Sequence, residues 1–407
     1  MLRRCRETGP GGGDSMKNIF LLLLLLLFAA ASAVGDDFGR LETRFEGERT
    51  TLLRDGAVLD FRSCLAEALR RHPVMEAEDV LKLCIQGARG PEHILGDAAG
   101  AERRFYAEFA TLTPRPEEPL FEVISPDFMR VDLGAWKARH LPPAWLFRLF
   151  SASAHRFGDG DAVLASFFAD AEKLLAGERR ERFARLLRQY ARHPVPPHHS
   201  EAIRKREVPS YRLVSTRFLA ALPVLIRAAA LPEKGGVRVI AIDGRAASGK
   251  TTLARQLAAV LKAEVVHMDD FFLPRELRTP ERYREPGGNL HYERFAEEVL
   301  PHLRDRSDFS YRVFDCGTMG YGGTATVRFS PWRIVEGAYS LHPRFGAYAD
   351  LKIFYDISPA EQERRIVLRN GAARWQIFRD RWIPLEERYI RECGVRERAD
   401  LILGVRH

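Results

Sequence analysis

The sequence predicts an α/β chain, with a parallel sheet flanked by helices over residues 232–407 and a mainly α-helical region before it, over residues 38–230. Beyond residue 231, short runs rich in β-branched residues alternate with helical stretches, the pattern of a parallel sheet covered on both faces. Before it, apolar residues recur at spacings of three and four. Between the two, Leu231-Pro232-Glu233-Lys234-Gly235-Gly236 reads as a linker.

The first element, residues 1–34, reads as a leader. Met16-Lys17-Asn18 precedes a Leu-rich run and an exit at Ala31-Ser32-Ala33. A basic start, a short apolar core and a small-residue exit describe a secretory signal. From Ile19 to Val34 there are 16 residues, too few for a membrane span of about 20. Met16 is a second candidate start. Residues 50–53 and 58–61 around Asp55-Gly56 predict a hairpin. Helical spacing then dominates, as in Val80, Leu81, Leu83 and Cys84, or Phe183, Leu186, Leu187 and Tyr190. Proline-rich breaks at residues 113–119 and 193–197 separate the helices. A last helix is expected over residues 211–230, kinked or split at Pro223.

Composition narrows the function classes. The net charge is +8, but the arginines are interleaved with Glu and Asp, without the clustered basic face that nucleic acid requires. The densest stretch, residues 178–182, reads as the solvated face of a helix. Five widely spaced cysteines with no Cys-x-x-Cys pair offer no zinc site and suit a reduced compartment. His198-His199-Ser200-Glu201 has no second ligand cluster to complete a metal site.

Beyond the linker, strands are expected at 237–242, Glu264–His267, 333–335 and Leu351–Tyr355, with helices at 251–261 and 359–368. The informative stretch is Gly244-Arg245-Ala246-Ala247-Ser248-Gly249-Lys250-Thr251, a full match to G-x-x-x-x-G-K-[ST] between a predicted strand and a predicted helix. In such a P-loop the backbone curls so that successive N–H groups face phosphate oxygens, and the helix adds its positive N-terminus. The cofactor-binding set is Gly244, Ala246, Ala247, Ser248, Gly249, Lys250, Thr251 and Thr252. Lys250 supplies an ammonium for the β- and γ-phosphates of ATP, and the Thr251 hydroxyl is a ligand for Mg²⁺. Phosphoryl transfer also needs carboxylates for the metal and the nucleophile. Asp269-Asp270 and Glu336 follow predicted strands, where open α/β sheets place their ligand sites.

These residues resemble the uridine kinase/phosphoribulokinase family of P-loop kinases over residues 237–407. The match lies in residues 242–252, Met268-Asp269-Asp270-Phe271-Phe272, Glu285-Pro286-Gly287-Gly288-Asn289, Val335-Glu336-Gly337 and Leu351-Lys352-Ile353-Phe354-Tyr355-Asp356, leading into Arg364-Arg365 and Arg369. The resemblance implies that Asp269 accepts the proton of the acceptor hydroxyl and shares Mg²⁺ with Thr251 and Glu336. It further implies that Arg365 and Arg369, with Arg374, form a lid that clamps phosphates, and that Tyr311, His291 and Arg374 lie on the substrate side, near the acceptor. Uridine kinases carry an acidic residue where this chain has His291, and a base-reading His where it has Cys316. Both changes remove groups suited to a nucleoside and leave the acceptor open. The expectation is an ATP-Mg²⁺-dependent kinase acting on a hydroxyl of a small molecule. The alternative is a nucleotide-dependent switch or ATPase regulated through residues 38–230. That chemistry favours the cytoplasm, while the leader keeps export open and implies membrane contact only if it is retained. The oligomeric state is not legible.

Overall fold

The computed structural model describes residues 38, 40–46, 49–91, 97–154, 160–232 and 235–404. The leader lies outside them, as do Glu233 and Lys234 of the linker. The chain begins with an antiparallel meander, β1 (Leu41–Glu46), β2 (Arg49–Arg54) and β3 (Ala57–Val58). The β2–β3 turn is made by Asp55 and Gly56, at φ 52 and 80. Positive φ at both central residues is what a tight hairpin asks for, and Asp-Gly supplies it.

Helices α1 (Phe61–Arg71), α2 (Ala77–Arg89) and α3 (Ala98–Thr111) follow. Asp60 and Asp97 cap α1 and α3 by accepting from the N–H groups of Ser63 and Gly100. A second antiparallel sheet pairs β4 (Phe121–Val123), β5 (Phe128–Asp132) and β6 (Tyr211–Ser215). Between β5 and β6 run α4 (Leu133–Ala138), α5 (Pro143–Ala152), α6 (Gly160–Leu174), α7 (Gly177–Arg192) and α8 (Glu201–Arg206), and α9 (Ala221–Ala229) comes after β6. The single helix expected over 211–230 is thus corrected. Tyr-Arg-Leu-Val-Ser is a strand paired to β5, and Pro223 falls in the first turn of α9, where its missing N–H has no partner to lose.

The second region contains β7 (Arg238–Gly244), α10 (Lys250–Leu261), β8 (Glu264–His267), α11 (Pro280–Arg284) and α12 (Tyr292–Glu298). It continues through the hairpin β9 (Phe309–Asp315) and β10 (Gly320–Val327) to β11 (Trp332–Glu336) and β12 (Leu351–Tyr355). It ends with α13 (Pro359–Asn370), α14 (Ala372–Ile377), α15 (Ile383–Glu392) and β13 (Leu401–Leu403). Strands β13-β12-β7-β11-β8 form a five-stranded parallel sheet with β7 at its centre. Alternation along β7 builds a core on each face. Val239 and Ala241 pack with Phe271, Phe295 and Tyr389, whereas Ile240 and Ile242 pack with Leu253 and Leu257 of α10.

The α10 side of that core runs on without a break into the first region, through Trp145, Leu146 and Leu149 of α5 and Leu222 and Leu225 of α9. Trp145 meets Trp332 edge-on at 6.0 Å. Arg148 donates to the carbonyl of Val260 at 2.5 Å, and the Gln256 amide to that of Arg217 at 2.8 Å. The two regions share one apolar core across the linker.

Candidate active site

The P-loop is shaped by its neighbours before any ligand is considered. Gly244 ends β7 at φ 144, and a Cβ there would lie 2.1 Å from the Tyr355 carbonyl oxygen of β12. Only glycine allows that approach. Ala247 and Gly249 are left-handed, at φ 61 and 114, so the loop stores strain at a non-glycine position. Surrounding side chains hold it there. Arg365 donates to the Ser248 carbonyl at 3.1 Å, and the Gln362 amide to that of Ala246 at 3.1 Å. Arg245 bridges Asp356 and Glu387, and Glu386 accepts from the Ala246 N–H at 2.8 Å. Lys250 folds back and donates to the carbonyls of Gly244 and Arg245, at 2.7 and 2.9 Å.

Asp243, just before the loop, is buried and accepts from the N–H groups of Gly244, Tyr339 and Leu341 and from the Tyr389 hydroxyl. It thereby ties β7 to the turn after β11, where Tyr339 has φ 74, and to α15.

Strands β8 and β11 are neighbours, with His267 directly opposite Glu336. His267 Nδ1 lies 2.6 Å from Glu336 Oε1, a hydrogen bond that raises the imidazole pKa. Thr251 Oγ1 donates to Glu336 Oε2 at 3.3 Å. Asp269 sits in a 3₁₀ turn, Met268–Phe271, with no hydrogen-bond partner among the described residues. Desolvation by the surrounding cavity wall raises its pKa; Lys250 opposes that, while Glu336 and Asp270 reinforce it. Asp270 turns the other way and accepts from the Tyr311 hydroxyl at 2.9 Å.

One cavity of about 1170 Å³ brings together Ala246, Ala247, Gly249, Lys250, Thr251, Thr252, Asp269, Glu336, Arg365, Arg369 and Arg374. Gly244 and Ser248 belong to the loop but not to the cavity wall. The Ser248 hydroxyl is buried without a partner, an orphan among N–H groups at a helix start. Such a donor set fits the oxygens of a phosphate chain. Thr251, Glu336 and Asp269 offer the oxygen ligands a hard divalent cation takes. Arg369 is exposed and bonds Asn370, and Arg374 lies on α14. Beyond α14 a wide turn of π-helix, Phe378–Trp382, turns Phe378 and Trp382 into the cavity.

Two residues expected near the acceptor are placed elsewhere. Tyr311, 2% exposed, points into the core against Phe271 and props the Asp269-Asp270 turn through Asp270. His291 caps α12, its Nδ1 accepting from the Arg294 N–H at 3.3 Å. Sequence reasoning in turn missed wall residues: Asn289, Tyr339, Arg278 and Glu386. Glu386 gives no sequence signal, since among Glu387, Arg388 and Arg391 it reads as one more solvated helix residue. His267 had one, because a polar side chain closing a buried strand beside Asp269 faces the same strand ends as Glu336.

No family model matches the chain. A curated cytidylate kinase from Pyrobaculum arsenaticum is 30% identical over 145 residues, spanning 35% of this chain and 66% of that protein, a little under two thirds of its length. Similar solved structures include a candidate uridine kinase from Bacillus stearothermophilus, at 21% identity and TM-score 0.35 over 46% of this chain and 96% of that one. A candidate fructose transport system kinase from Silicibacter sp. TM1040 is 27% identical, with TM-score 0.39 over 46% of this chain and 98% of that one. The strand-to-helix loop at the centre of a parallel sheet, with carboxylates at the ends of the flanking strands, follows the order of motifs read along the sequence. The similarity to these two solved structures covers under half of the chain.

Proposed function

We propose that the chain transfers the γ-phosphoryl group of ATP, as its Mg²⁺ complex, to a hydroxyl group of a small molecule. The supporting observation is Asp269, a carboxylate open to the cavity with no protein partner among the described residues, on the same wall as Lys250, Thr251 and Glu336. A carboxylate left free beside a phosphate site is suited to orient a hydroxyl and accept its proton. The loop N–H groups and Lys250 would hold the triphosphate; Thr251, Glu336 and Asp269 would hold Mg²⁺, which when bound supplies charge neutralisation between phosphate oxygens. Arg365, Arg369 and Arg374 line the lid side and suit the charge of the transferred group. Residues 38–230 serve as a scaffold, through the core they share with α10.

The test is ADP release from ATP-Mg²⁺, alone and with a panel of nucleosides, sugars, other polyols and nucleoside monophosphates. A kinase of hydroxyl groups turns over slowly alone and faster with one of the alcohols. Stimulation by a monophosphate alone, phosphorylated on its phosphate, would remove the hydroxyl reading. Acceptor-independent hydrolysis that no compound stimulates would favour a switch or ATPase instead.

A further inference from the structure

Glu386 stands out among the titratable groups of the cavity because it occupies part of the phosphate loop itself. It is 5% exposed, lies on α15 beyond the lid, and lines the cavity with Oε2 at 2.8 Å from the Ala246 N–H. Its neighbour Glu387 holds Arg245 through both carboxylate oxygens, at 2.5 and 3.0 Å. Consecutive residues of one helix therefore grip consecutive residues of the loop. We propose that Glu386 is a stand-in anion for the phosphate loop: it holds the Ala246 N–H in the nucleotide-free protein and gives it up, taking on one proton, when the triphosphate enters. This rests on the reading of the loop as a nucleotide site.

The physical case is charge. A carboxylate and a polyphosphate competing for the same buried N–H group repel strongly in a site shielded from water. The groups facing Glu386 decide which form it takes. Lys250 at the start of α10 favours the anion, as does the Ala246 N–H, whereas Asp243 at the end of β7 and Glu387 on its own helix disfavour it. Tyr339, from the turn after β11, adds a buried phenol that is neutral at ordinary pH. Burial dominates, and the carboxyl is pushed up to about 7. Arriving phosphates take Lys250 as their own partner, which removes the main group favouring the anion. Protonation then becomes the low-cost response, and the neutral acid can donate to a phosphate oxygen.

The experiment is calorimetric titration of the full chain with ATP-Mg²⁺ at about pH 8, in two buffers of different protonation enthalpy. The difference in apparent heat counts the protons exchanged. The parent should take up about one proton more per nucleotide than Glu386→Gln. Its affinity should fall by up to about tenfold per pH unit above about pH 7.5, whereas the variant should show a flatter profile. Glu387→Gln, which loosens the Arg245 grip but leaves Glu386 in place, should keep the parent's proton count. Equal proton counts in the parent and Glu386→Gln overturn the proposal while leaving the nucleotide site standing. If Glu386→Gln does not fold, a parent affinity that does not change above pH 7.5 overturns it equally. A parent that binds no ATP, or a Lys250→Ala variant that binds it as the parent does, removes the nucleotide site and this proposal together.

Discussion

Replacing Asp269 and Asp270 one at a time with Asn separates chemistry from support, because the structure gives the two neighbours opposite surroundings. Asp269 has no hydrogen-bond partner among the described residues and is pressed by Glu336 and Asp270, with desolvation raising its pKa. Removing its charge therefore breaks no contact and relieves repulsion, so stability should hold or rise slightly. If Asp269 orients and deprotonates the acceptor, transfer should fall by about 10²–10⁴-fold, the usual contribution of a general base. Asp270 holds the buried Tyr311 hydroxyl at 2.9 Å. Asn keeps an acceptor there but loses the charge assistance, which should cost about 1 kcal/mol of stability with a mild effect on rate. Urea unfolding and single-turnover transfer with the acceptor identified by ADP release would measure both quantities. Should Asp270→Asn slow transfer more than Asp269→Asn, the base is misplaced. If neither slows it, the assignment fails at its chemical centre.

Lys250→Ala should leave circular dichroism unchanged and lower transfer by at least about 10²–10³-fold, the order expected for losing one preorganised donor; activity within tenfold of the parent would refute the phosphate site. Asp243→Ala strands buried donors from Gly244, Tyr339, Leu341 and Tyr389. At about 1–3 kcal/mol for each unsatisfied group, with partial relaxation, urea unfolding should show a loss of roughly 3–5 kcal/mol, and a loss below about 1 would show that the site rearranges. His267 has its pKa raised above 6.5 by Glu336, so its contribution is fully present below pH 6.5 and lost as pH rises through the raised value. In nucleotide-free protein, His267→Gln should abolish that part of the melting-temperature profile, and an unchanged profile would refute the pairing. A chain beginning at residue 232 uncovers α10 and Trp332, so it should aggregate in size-exclusion chromatography, whereas a monodisperse, ATP-binding product would show that residues 38–230 are dispensable.

The sheet was legible because parallel strands, buried on both faces, appear as short apolar runs. Glu264–His267 and Leu351–Tyr355 fall where the sequence places them, and the loop match needed only the strand before it and the helix after it. The antiparallel strands were harder. Phe121–Val123 and Phe128–Asp132 are too short for two-residue periodicity to register, and Tyr211–Ser215 merges in pattern with the helix that follows it. Side-chain direction was harder still. Tyr311 and His291 were placed near the acceptor by the family resemblance, yet one is turned inward by strand alternation and the other is drawn into a helix cap. Glu386 became a cavity residue only through the packing of α15 on the loop, which no local pattern encodes.

The shared core bears on which parts of the site can move. Helix α10, which presents Lys250 and Thr251, is buried against the sheet on one side and against α5 and α9 on the other. Shifting it would uncover apolar side chains of both regions, so the floor of the cavity is held stiffly. The roof is different. Leu368 on α13 and Ile377 on α14 are 63% and 52% exposed although both border the cavity. A ligand beneath them would let these side chains leave water, so movement of the C-terminal end of α13 and of α14 over the cavity would gain apolar burial that the empty site lacks. Arg369 and Arg374 lie at the end of α13 and on α14, whereas Arg365, one turn earlier on α13, is tied to the loop carbonyls. The arginines therefore divide into one that holds the loop in place and two, farther along, that such a movement would carry toward the cavity. Glu386, one helix further on, is bonded to the stiff floor through the Ala246 N–H.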